Sequence, residues 1–553
     1  MALIRHIWDA GVPARDEVTL SLDVYLPGEE GSYPTVLIGT PYDNTMRAHV
    51  DTARLFTAHG YAFAIWDLRG RYDSGGDWLP FLQEGPDGYD VVEWIAEQPW
   101  SDGKVGMMGG SYRGWVQWAA ARLRPPHLTT MVPTATGGKF LQEFPFYNGI
   151  PCLWMLGWLN YVGARTNQNV GATTVDWERV YRTLPIMDMP GALGRELPMW
   201  REWMSHPDMD DYWRRVTFTD EDFRRIDMPV LHITGYYDGD QPGALYYYDG
   251  MVRHSPARDR QYMLIGPWDH AGTRFPQRRL GGVDFSDRAV MSMAEVHLRW
   301  FDRWMKDESN EVDSWPLTRY FVMGDNRWES SDGRWAPSTG TKVFYLGSGG
   351  YANTVMGDGS LRDAEPSTPG KDTLTYNPEN PVIPGAGFDF YGDRDEPPLD
   401  ILYLLRRGDI LVYTGEPLSE PLVVAGRPEA DLFFSSDSRD TDIFTYLMDV
   451  HPDGRSILVS GGRLRARYRG GLTRQELLEP GEVYRIRVEM DSTCVSLHAG
   501  HRLRLAVTSS EFPRYGRNQN TGNPVASDTE VRIAGNTVHH GGGSSSRLVL
   551  PTL

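Results

Sequence analysis

The sequence predicts an α/β protein in which a mostly parallel sheet is covered by helices, with a helical insertion and a C-terminal β-sandwich. Three observations lead to this fold class. Apolar runs of strand length alternate with helical stretches up to residue 140 and again from residue 229, which is typical of βα units. Residues 141–228 break that alternation. Beyond about residue 336, short strands separated by turn residues replace it.

The strands of the first part differ in their expected burial. TVLI (35–38) and YAFAIWD (61–67) are continuous apolar runs, which predict strands covered on both faces. DGYDVVEWIAEQ (87–98) has the spacing of an amphipathic helix. EVTLSLDVYLP alternates instead, and this period of two predicts a half-buried strand. The apolar positions of that strand are Val18, Leu20, Leu22, Val24 and Leu26.

The same rhythm resumes after the insertion. PVLHITG (229–235) and YMLIG (262–266) predict two further buried strands, and MSMAEVHLRWFDRWMKD (291–307) predicts the helix that follows them. We therefore expect residues 1–140 and 229–335 to form one core domain around a parallel sheet.

The insertion, residues 141–228, is rich in Trp, Met and Pro. Its two clearest stretches, FPFYNGIPCLWMLGWLNYV and ELPMWREWMSHPDMDDYW, predict short helices joined by loops. A helical insertion in an α/β domain commonly forms a cap over the active site, whereas the alternative is a separate packing domain. We expect a cap.

Residues 336–553 predict the β-sandwich, because turn residues separate several short strands and few helical stretches occur. HPDGR (451–455) predicts a hairpin turn. The strands are expected in KVFYLG, PLVVAG, ADLFFSS, TDIFTYLMDV, EVYRIRVEM and HRLRLAVTSS.

The composition excludes several classes of function. The chain has 553 residues and a formal net charge of −19, which argues against binding to nucleic acid or to an acidic membrane surface. Its two cysteines, Cys152 and Cys494, lie far apart and imply no disulfide framework. Paired Cys/His spacing of the zinc-site kind is absent from the sequence, so we expect neither a metal nor another cofactor.

The sequence also carries no membrane signal. No run reaches the roughly 18 apolar residues of a membrane span. The N-terminal stretch MALIRHIWDAGVPARDEV lacks the apolar segment of a signal peptide. We expect a cytoplasmic protein, and the sequence leaves homo-oligomerisation open.

A candidate nucleophile lies in VGMMGGSYRGWVQWAAA (105–121). A short apolar run ends at two glycines, Ser111 follows, and helical spacing begins directly after it. This pattern fits a nucleophile elbow, in which a sharp strand-to-helix turn exposes a serine hydroxyl above a sheet. A plain turn of small residues is the alternative. The strict pattern G-x-S-x-G is not met, because Arg113 stands where glycine is expected and Gly114 comes one residue later.

A serine nucleophile needs a base, and the base benefits from an orienting carboxylate. Asp238 follows the strand PVLHITG, and His270 follows the strand YMLIG. Both residues thus come after Ser111 in the order acid then histidine, at the carboxyl ends of predicted parallel strands. That edge of an open α/β sheet is where ligands bind. Taken singly, Asp238 could be a turn residue and His270 a helix cap.

Further motifs extend this pattern along the chain. With them, the sequence resembles the bacterial cocaine esterase family, a branch of the α/β-hydrolases that also holds α-amino acid ester hydrolases, cephalosporin acylases and X-Pro dipeptidyl-peptidases. That family uses G-x-S-Y-x-G, which accommodates Arg113. The matching motifs are GGSYRG (109–114), TPYDN (40–44), WDLRGRYDSGG (66–76), GYYDGD (235–240), GPWDH (266–270), FVMGDNRW (321–328) and GHRLRLAVTSSEFPRYGRNQNTG (500–522).

The resemblance implies an α/β-hydrolase core, a helical cap (141–228) and a C-terminal jelly roll (336–553). It implies Ser111 as nucleophile, Asp238 as orienting acid and His270 as base. It also implies an oxyanion hole made by the backbone N–H of Tyr112 and the hydroxyl of Tyr42. The expected activity is hydrolysis of a small-molecule ester or amide through an acyl-serine intermediate.

The substrate is less constrained by the sequence. Trp154, Trp158 and Phe146 are candidate walls of the acyl pocket, and so many aromatic side chains suit an aromatic acyl group. Asp240, two residues after the candidate acid, favours instead a cationic acyl group, because α-amino acid ester hydrolases carry carboxylates near this position. Only one carboxylate of such a cluster is evident here. The main alternative function is therefore an α-amino acid ester hydrolase, acylase or acyltransferase that uses Asp240 to bind an ammonium group. X-Pro dipeptidyl-peptidase activity and a non-catalytic binding protein are less favoured.

Overall fold

The computed structural model describes residues 5–170, 174–384 and 398–553 of the chain. The first four residues of the N-terminal stretch considered above therefore lie outside the described residues. In the described part of the chain, no helix combines the length and the apolar character that crossing a membrane requires.

The first segment alternates strands and helices as the sequence predicts, and the strands belong to one sheet. The elements are β1 (Arg5–Pro13), β2 (Thr19–Leu26), β3 (Tyr33–Thr40), α1 (Arg47–Ala58), β4 (Ala62–Asp67), α2 (Glu84–Ala96), β5 (Ser101–Gly110), α3 (Tyr112–Leu123) and β6 (Leu128–Thr134).

The inserted segment is mainly short helices. Its beginning differs from the prediction, because FPFYNGIPC forms a small hairpin rather than a helix: Tyr147 pairs with Ile150 across a glycine turn. The elements are β7 (Phe146–Tyr147), β8 (Ile150–Pro151), α4 (Trp154–Val162), α5 (Trp177–Arg182), α6 (Met189–Ala192), α7 (Pro198–Ser205), α8 (Asp211–Arg214) and α9 (Asp220–Arg224).

The next segment returns to the first sheet and extends it by four strands, while β11 and β12 form a separate two-stranded hairpin. The elements are β9 (Val230–Tyr237), α10 (Gln241–His254), β10 (Gln261–Asp269), β11 (Arg279–Leu280), β12 (Val283–Asp284), α11 (Met293–Met305), β13 (Thr318–Val322) and β14 (Arg327–Ser331).

The first sheet has ten strands in the order β1-β2-β4-β3-β5-β6-β9-β10-β13-β14. Neighbours from β4 to β13 run parallel, and antiparallel strands flank them on both sides. Helices cover both faces: α2, α3 and α10 contribute to one core cluster, and α1 and α11 to another. The observed architecture is that of an α/β-hydrolase core.

The prediction of a half-buried β2 is wrong. Every residue of β2 after Thr19 is buried, including the polar residues of the face expected in solvent. That face is covered because Asp23 lies 3.6 Å from His6 of β1, and Tyr25 packs in the core cluster that includes Phe56 of α1. A strand flanked on both edges and covered on both faces cannot expose either set of side chains.

The C-terminal β domain confirms the predicted strand-rich region. Its strands form one thirteen-stranded assembly, and HPDGR makes the turn between two of them, where His451 N–H donates to Arg455 at 2.9 Å. The strands are β15 (Gly340–Gly347), β16 (Ser360–Arg362), β17 (Gly370–Tyr376), β18 (Leu411–Gly415), β19 (Leu422–Gly426), β20 (Glu429–Ser436), β21 (Asp442–Val450), β22 (Ser456–Arg465), β23 (Tyr484–Glu489), β24 (Thr493–Leu497), β25 (Arg502–Thr508), β26 (Ala534–His540) and β27 (Arg547–Thr552).

Candidate active site

Ser111 occupies a sharp turn between β5 and α3, with φ 65° and ψ −131°. A non-glycine residue rarely adopts this backbone conformation, and it is typical of a strained nucleophile elbow. Gly109 explains how Arg113 fits. A Cβ at position 109 would lie 2.7 Å from the Cβ of Arg113, so Gly109, the glycine that the strict motif already places two residues before the serine, leaves room for the side chain at position 113. Gly114 allows α3 to approach Thr136, whose Oγ1 would lie 2.1 Å from an added Cβ.

Asp238 and His270 follow β9 and β10, two neighbouring parallel strands. The Nδ1 of His270 donates to Asp238 Oδ1 at 2.8 Å, since a carboxylate only accepts. The other oxygen of Asp238 accepts from Thr234 Oγ1 at 3.0 Å, and Oδ1 also accepts the backbone N–H of Asp240 at 3.0 Å. These bonds fix the carboxylate, and the bond to Nδ1 favours the imidazole tautomer in which Nε2 carries the basic lone pair.

Tyr42 lies in the same pocket as Ser111. Its hydroxyl oxygen accepts a hydrogen bond from Trp158 Nε1 at 3.1 Å, so the hydroxyl proton is available to a further acceptor. Tyr112 is the first residue of α3, and the N–H of a first helical residue has no acceptor within its own helix. The structure therefore brings a phenol and a backbone donor to the surroundings of Ser111.

A buried hydrogen-bond network holds Tyr112. Its hydroxyl donates to the carboxyl group of Glu84 and accepts the N–H of Phe81 at 2.7 Å. Burial raises the pKa of both the Glu84 carboxyl and the Tyr112 phenol, the latter also through the charge of Glu84. Glu84 was not predictable from the sequence, because nothing near it in sequence points to Tyr112.

The pocket beside Ser111 is narrow, and its roughly 330 Å³ of space between atoms includes part of the open solvent at its mouth. Most of its wall is aromatic: Phe81 lies 5.3 Å from Phe144 between ring centroids, and the rings of Tyr112 and Trp158 stack at 5.6 Å. Its described lining residues are Tyr42, Phe81, Ser111, Tyr112, Trp115, Gly137, Phe144, Trp154, Met155, Trp158 and Asp240.

Two of the three aromatic residues predicted to line the pocket, Trp154 and Trp158, are among these residues. Phe146 is not, and this placement corrects the prediction. Phe146 is fully buried on β7, where it pairs with Pro151 of β8 and packs into the core. The pocket wall is formed instead by Phe144, which comes before the hairpin begins.

Asp240 is the one charged side chain among the described lining residues. It is 2% exposed and immediately precedes α10. Its Oδ2 lies 3.6 Å from Nδ1 of His270, beyond a hydrogen bond but close enough for a strong electrostatic interaction. The carboxylate therefore faces both the pocket and the imidazole.

Glu143 is a second buried acid near Asp240, and no sequence pattern predicts it. Its Oε2 accepts the backbone N–H groups of Gly138 at 2.8 Å and Lys139 at 3.0 Å, while Oε1 is buried without a hydrogen-bond partner. Burial, and then the charge of Asp240, raise the pKa of Glu143 well above its usual range. Gly243 permits this arrangement, since a Cβ there would lie 2.7 Å from Oε2.

Replacing Glu143 by glutamine is expected to stabilise the protein more at high pH than at low pH. The folded-state pKa lies above the unfolded value of about 4.3, so between the two values the folded chain holds a proton that the unfolded chain has released. The wild type therefore loses stability as the pH rises through this window, and the uncharged variant does not. Thermal melts at about pH 5 and pH 8 measure the difference in Tm.

The matched control is Glu97→Gln, which changes an exposed glutamate just after α2. Its difference from the wild type should not vary with pH. A Tm difference for Glu143→Gln that stays constant from low to high pH would show that Glu143 is ionised in the folded protein, contrary to the raised pKa.

The C-terminal β domain contacts the loop that carries Asp238. Gln241, next to Asp240 in the chain, donates from Nε2 to the carbonyl of Ser492 at 2.9 Å and accepts the N–H of Ser492 at 2.7 Å. The Ser492 hydroxyl in turn accepts from Trp335 Nε1 at 3.0 Å. Both backbone groups of one residue of the β domain are thus bound by the side chain that begins α10.

Comparisons with known proteins agree with this architecture. Residues 16–272 match the model of the X-Pro dipeptidyl-peptidase (S15) family, and residues 310–549 match that of the X-Pro dipeptidyl-peptidase C-terminal non-catalytic domain. Cocaine esterase from Rhodococcus sp. (strain MB1 Bresler) is 33% identical over 569 residues, covering 98% of this chain and 97% of that protein.

Solved structures show the same fold. An α-amino acid ester hydrolase superposes with a TM-score of 0.87 at 24% identity, over 100% of this chain and 96% of that one. An aminopeptidase from the marine sediment archaeon Thaumarchaeota archaeon superposes with a TM-score of 0.86 at 24% identity and the same coverage. Together with the full-length match to cocaine esterase, these findings establish that the chain belongs to the cocaine esterase family of α/β-hydrolases and is a serine carboxylesterase-like hydrolase.

Proposed function

We propose that the protein hydrolyses carboxylic esters through an acyl intermediate on Ser111, with His270 as the base and Asp238 as the acid that orients it. The single observation that carries this proposal is the 2.8 Å hydrogen bond from His270 Nδ1 to Asp238, made at the strand ends of the sheet that also carries the Ser111 elbow. A carboxylate in this position selects the tautomer with a basic Nε2 and stabilises the imidazolium that forms.

The proposed reaction has two halves. Ser111 Oγ attacks the ester carbonyl while its proton passes to Nε2 of His270, and the resulting oxyanion accepts hydrogen bonds from the Tyr42 hydroxyl and the Tyr112 N–H. Collapse of this intermediate breaks the bond to the alcohol, which leaves with the proton from His270. Water then attacks the acyl-serine by the same route, and the carboxylic acid is released.

The pocket lining supports an aromatic acyl group on a small-molecule ester as the substrate class. Phe81, Phe144, Trp154 and Trp158 supply apolar surface and ring faces beside Ser111. Burying a phenyl ring among such side chains contributes about 2 kcal/mol relative to leaving it in water. An acetyl group fills little of this space and gains correspondingly little.

A panel of nitrophenyl esters tests the proposal. With the leaving group held constant, kcat/KM is expected to be at least tenfold higher for the benzoyl ester than for the acetyl ester, because the ring adds apolar burial at the transition state. Trp154→Ala should reduce this ratio while leaving acetyl ester hydrolysis nearly unchanged. Faster hydrolysis of acetyl than of benzoyl ester would contradict the aromatic acyl pocket.

A second candidate substrate is an ester or amide whose acyl group carries an α-amino group. Asp240 favours it, because this buried carboxylate lines the pocket, and Glu143 adds a second acid behind it. An ammonium group would pair with Asp240 and favour ionisation of Glu143, whose proton would then be released on binding. Two carboxyl groups so placed provide the compensation that a buried cation needs.

Replacing Asp240 by asparagine is expected to raise KM for a phenylglycyl ester about tenfold or more, because the ammonium group loses its paired charge. The phenylacetyl ester, which lacks only the amino group, should change by less than about threefold. Steady-state kinetics on both esters measure the difference between the two changes in KM. Asp249→Asn of α10 is the matched control. Equal losses on both esters would show that Asp240 acts through His270 rather than on the substrate.

A further inference from the structure

A cluster of Asp449, His451 and His501 lies in the C-terminal β domain. Asp449 is the next-to-last residue of β21, His451 follows two residues later, and His501 directly precedes β25. β21 and β25 are antiparallel neighbours, with Val450 opposite Arg502. Adjacent strands of one sheet therefore fix the backbone of all three residues.

The side chains of this cluster converge. Nδ1 of His501 lies 2.8 and 3.0 Å from the two oxygens of Asp449, and Nε2 of His451 lies 3.4 Å from Asp449 Oδ2. The two imidazole rings are 4.5 Å apart between centroids. One donor atom from each residue can be chosen so that all three lie within 4.8 Å of one another.

We propose that Asp449, His451 and His501 bind one Zn²⁺ ion or a similar divalent transition metal. Two imidazoles and a carboxylate are ligands that zinc accepts, at about 2.0–2.2 Å from the metal. Donor atoms around a tetrahedral ion at that distance lie about 3.3 Å apart, close to the 2.8–3.4 Å that separates Asp449 from the two histidines. Calcium and magnesium prefer oxygen ligands alone, so the imidazoles favour a transition metal.

Binding requires only a small rearrangement. Nδ1 of His501 now carries the proton that it donates to Asp449, and in the neutral ring this proton moves to Nε2 when Nδ1 takes up the metal. Asp449 is then released from this hydrogen bond and can bind the ion. His451 and His501 are partly exposed, so water can reach the remaining coordination position.

The cluster lies beside a contact between the two large sheets. His498, whose ring is 5.6 Å from that of His501, pairs through Nε2 with Asp325 at 3.0 Å. Asp325 belongs to the turn between β13 and β14 of the first sheet. An ion held by β21 and β25 would stiffen the region of the β domain that makes this contact, and it would raise Tm without taking part in ester hydrolysis.

Metal titration of the full-length, tag-free chain after treatment with a chelator tests the proposal. Isothermal titration with Zn²⁺ should show one ion per chain, and Co²⁺ should give visible absorption bands that Zn²⁺ abolishes. The double variant His451→Ala/His501→Ala should bind at least about tenfold more weakly and lose the Co²⁺ bands. His127→Ala is the matched control, because it removes an isolated histidine–carboxylate pair, 2.8 Å from Glu93, and should bind as the wild type does.

A second variant separates this site from the other described grouping of metal-ligating side chains, Asp238, Asp240 and His270. His270→Ala should keep one Zn²⁺ per chain if the ion binds to the β domain. Should the double variant fail to fold, His451→Gln alone should still weaken binding. Unchanged stoichiometry and affinity in the histidine variants of the β domain, or loss of the ion in His270→Ala, would overturn the proposal.

Discussion

Replacing Ser111 by alanine is expected to lower kcat for a benzoyl ester by about 10⁶-fold, which amounts to loss of measurable turnover. In the proposed mechanism this hydroxyl forms the bond to the acyl carbon, and without it the imidazole of His270 has no nucleophile to activate. Alanine keeps the Cβ, so the positive φ at this turn is no harder to adopt than with serine. Substrate binding should survive, since the aromatic wall is unchanged.

Labelling with a fluorophosphonate tests whether Ser111 is the nucleophile without measuring turnover. The wild type should be labelled at Ser111 and the alanine variant should not, while both should melt at similar temperatures. Ser101→Ala, at the other end of the same strand β5, is the matched control and should keep activity and labelling. Residual hydrolysis above about 1% of the wild type would assign the nucleophile to another group.

Replacing Tyr42 by phenylalanine is expected to lower kcat by roughly 100-fold or more, with KM nearly unchanged. Removal of one oxyanion donor costs about 3–4 kcal/mol at the transition state, where charge has moved onto the carbonyl oxygen, and far less in the ground state. The change also leaves Trp158 Nε1 without its acceptor, at a cost to stability of about 1 kcal/mol. Steady-state kinetics and a thermal melt separate the two effects.

Tyr161→Phe is the control for this prediction. Tyr161 stacks 6.3 Å from the ring of Tyr42, and its hydroxyl accepts from Asn167 Nδ2 at 2.9 Å. The Tyr161→Phe variant thus loses a phenol hydroxyl near the ring of Tyr42, from a residue that is not among the described lining residues of the pocket. Equal kcat values for Tyr42→Phe and the wild type would show that the Tyr42 hydroxyl does not stabilise the oxyanion.

The sequence predicted the fold well wherever burial follows from a local pattern. Continuous apolar runs became parallel strands, and alternating strand and helix became a sheet covered on both faces. The pattern misled at β2, because Asp23 and Tyr25 look like solvent-facing residues and are covered by distant parts of the chain. The period and polarity of a sequence describe a strand by itself, whereas the burial of its side chains depends on which other elements pack against it.

The candidate active site was predictable to the same extent. Ser111, Asp238 and His270 each follow a strand end, and that position can be inferred from sequence. Glu84 and Glu143 could not be found in this way, because each looks like an ordinary helix or loop glutamate. Their chemistry arises from burial beside Tyr112 and Asp240, which only the folded chain brings about.

The Asp449, His451 and His501 cluster, proposed above to bind a metal, illustrates the same limit. Asp449 and His451 are close in sequence, but His501 lies 50 positions after His451 and carries no spacing signature of its own. Pairing of β21 with β25 brings it alongside. Phe146 shows the converse error, since its position among aromatic residues suggested a pocket wall and the β7–β8 hairpin buries it instead.

The two hydrogen bonds between the Gln241 side chain and the backbone of Ser492 have a consequence for protein engineering. A shortened enzyme ending after β14 would remove both hydrogen bonds to Ser492 and leave the Gln241 amide only its bonds to the carbonyls of Gly235 and Tyr236, at the start of α10 and three residues from Asp238. The hydrolase core and the C-terminal β domain therefore cannot be exchanged independently of each other. Grafting a foreign sandwich onto this hydrolase would succeed only if the graft presented a peptide unit at the same spot.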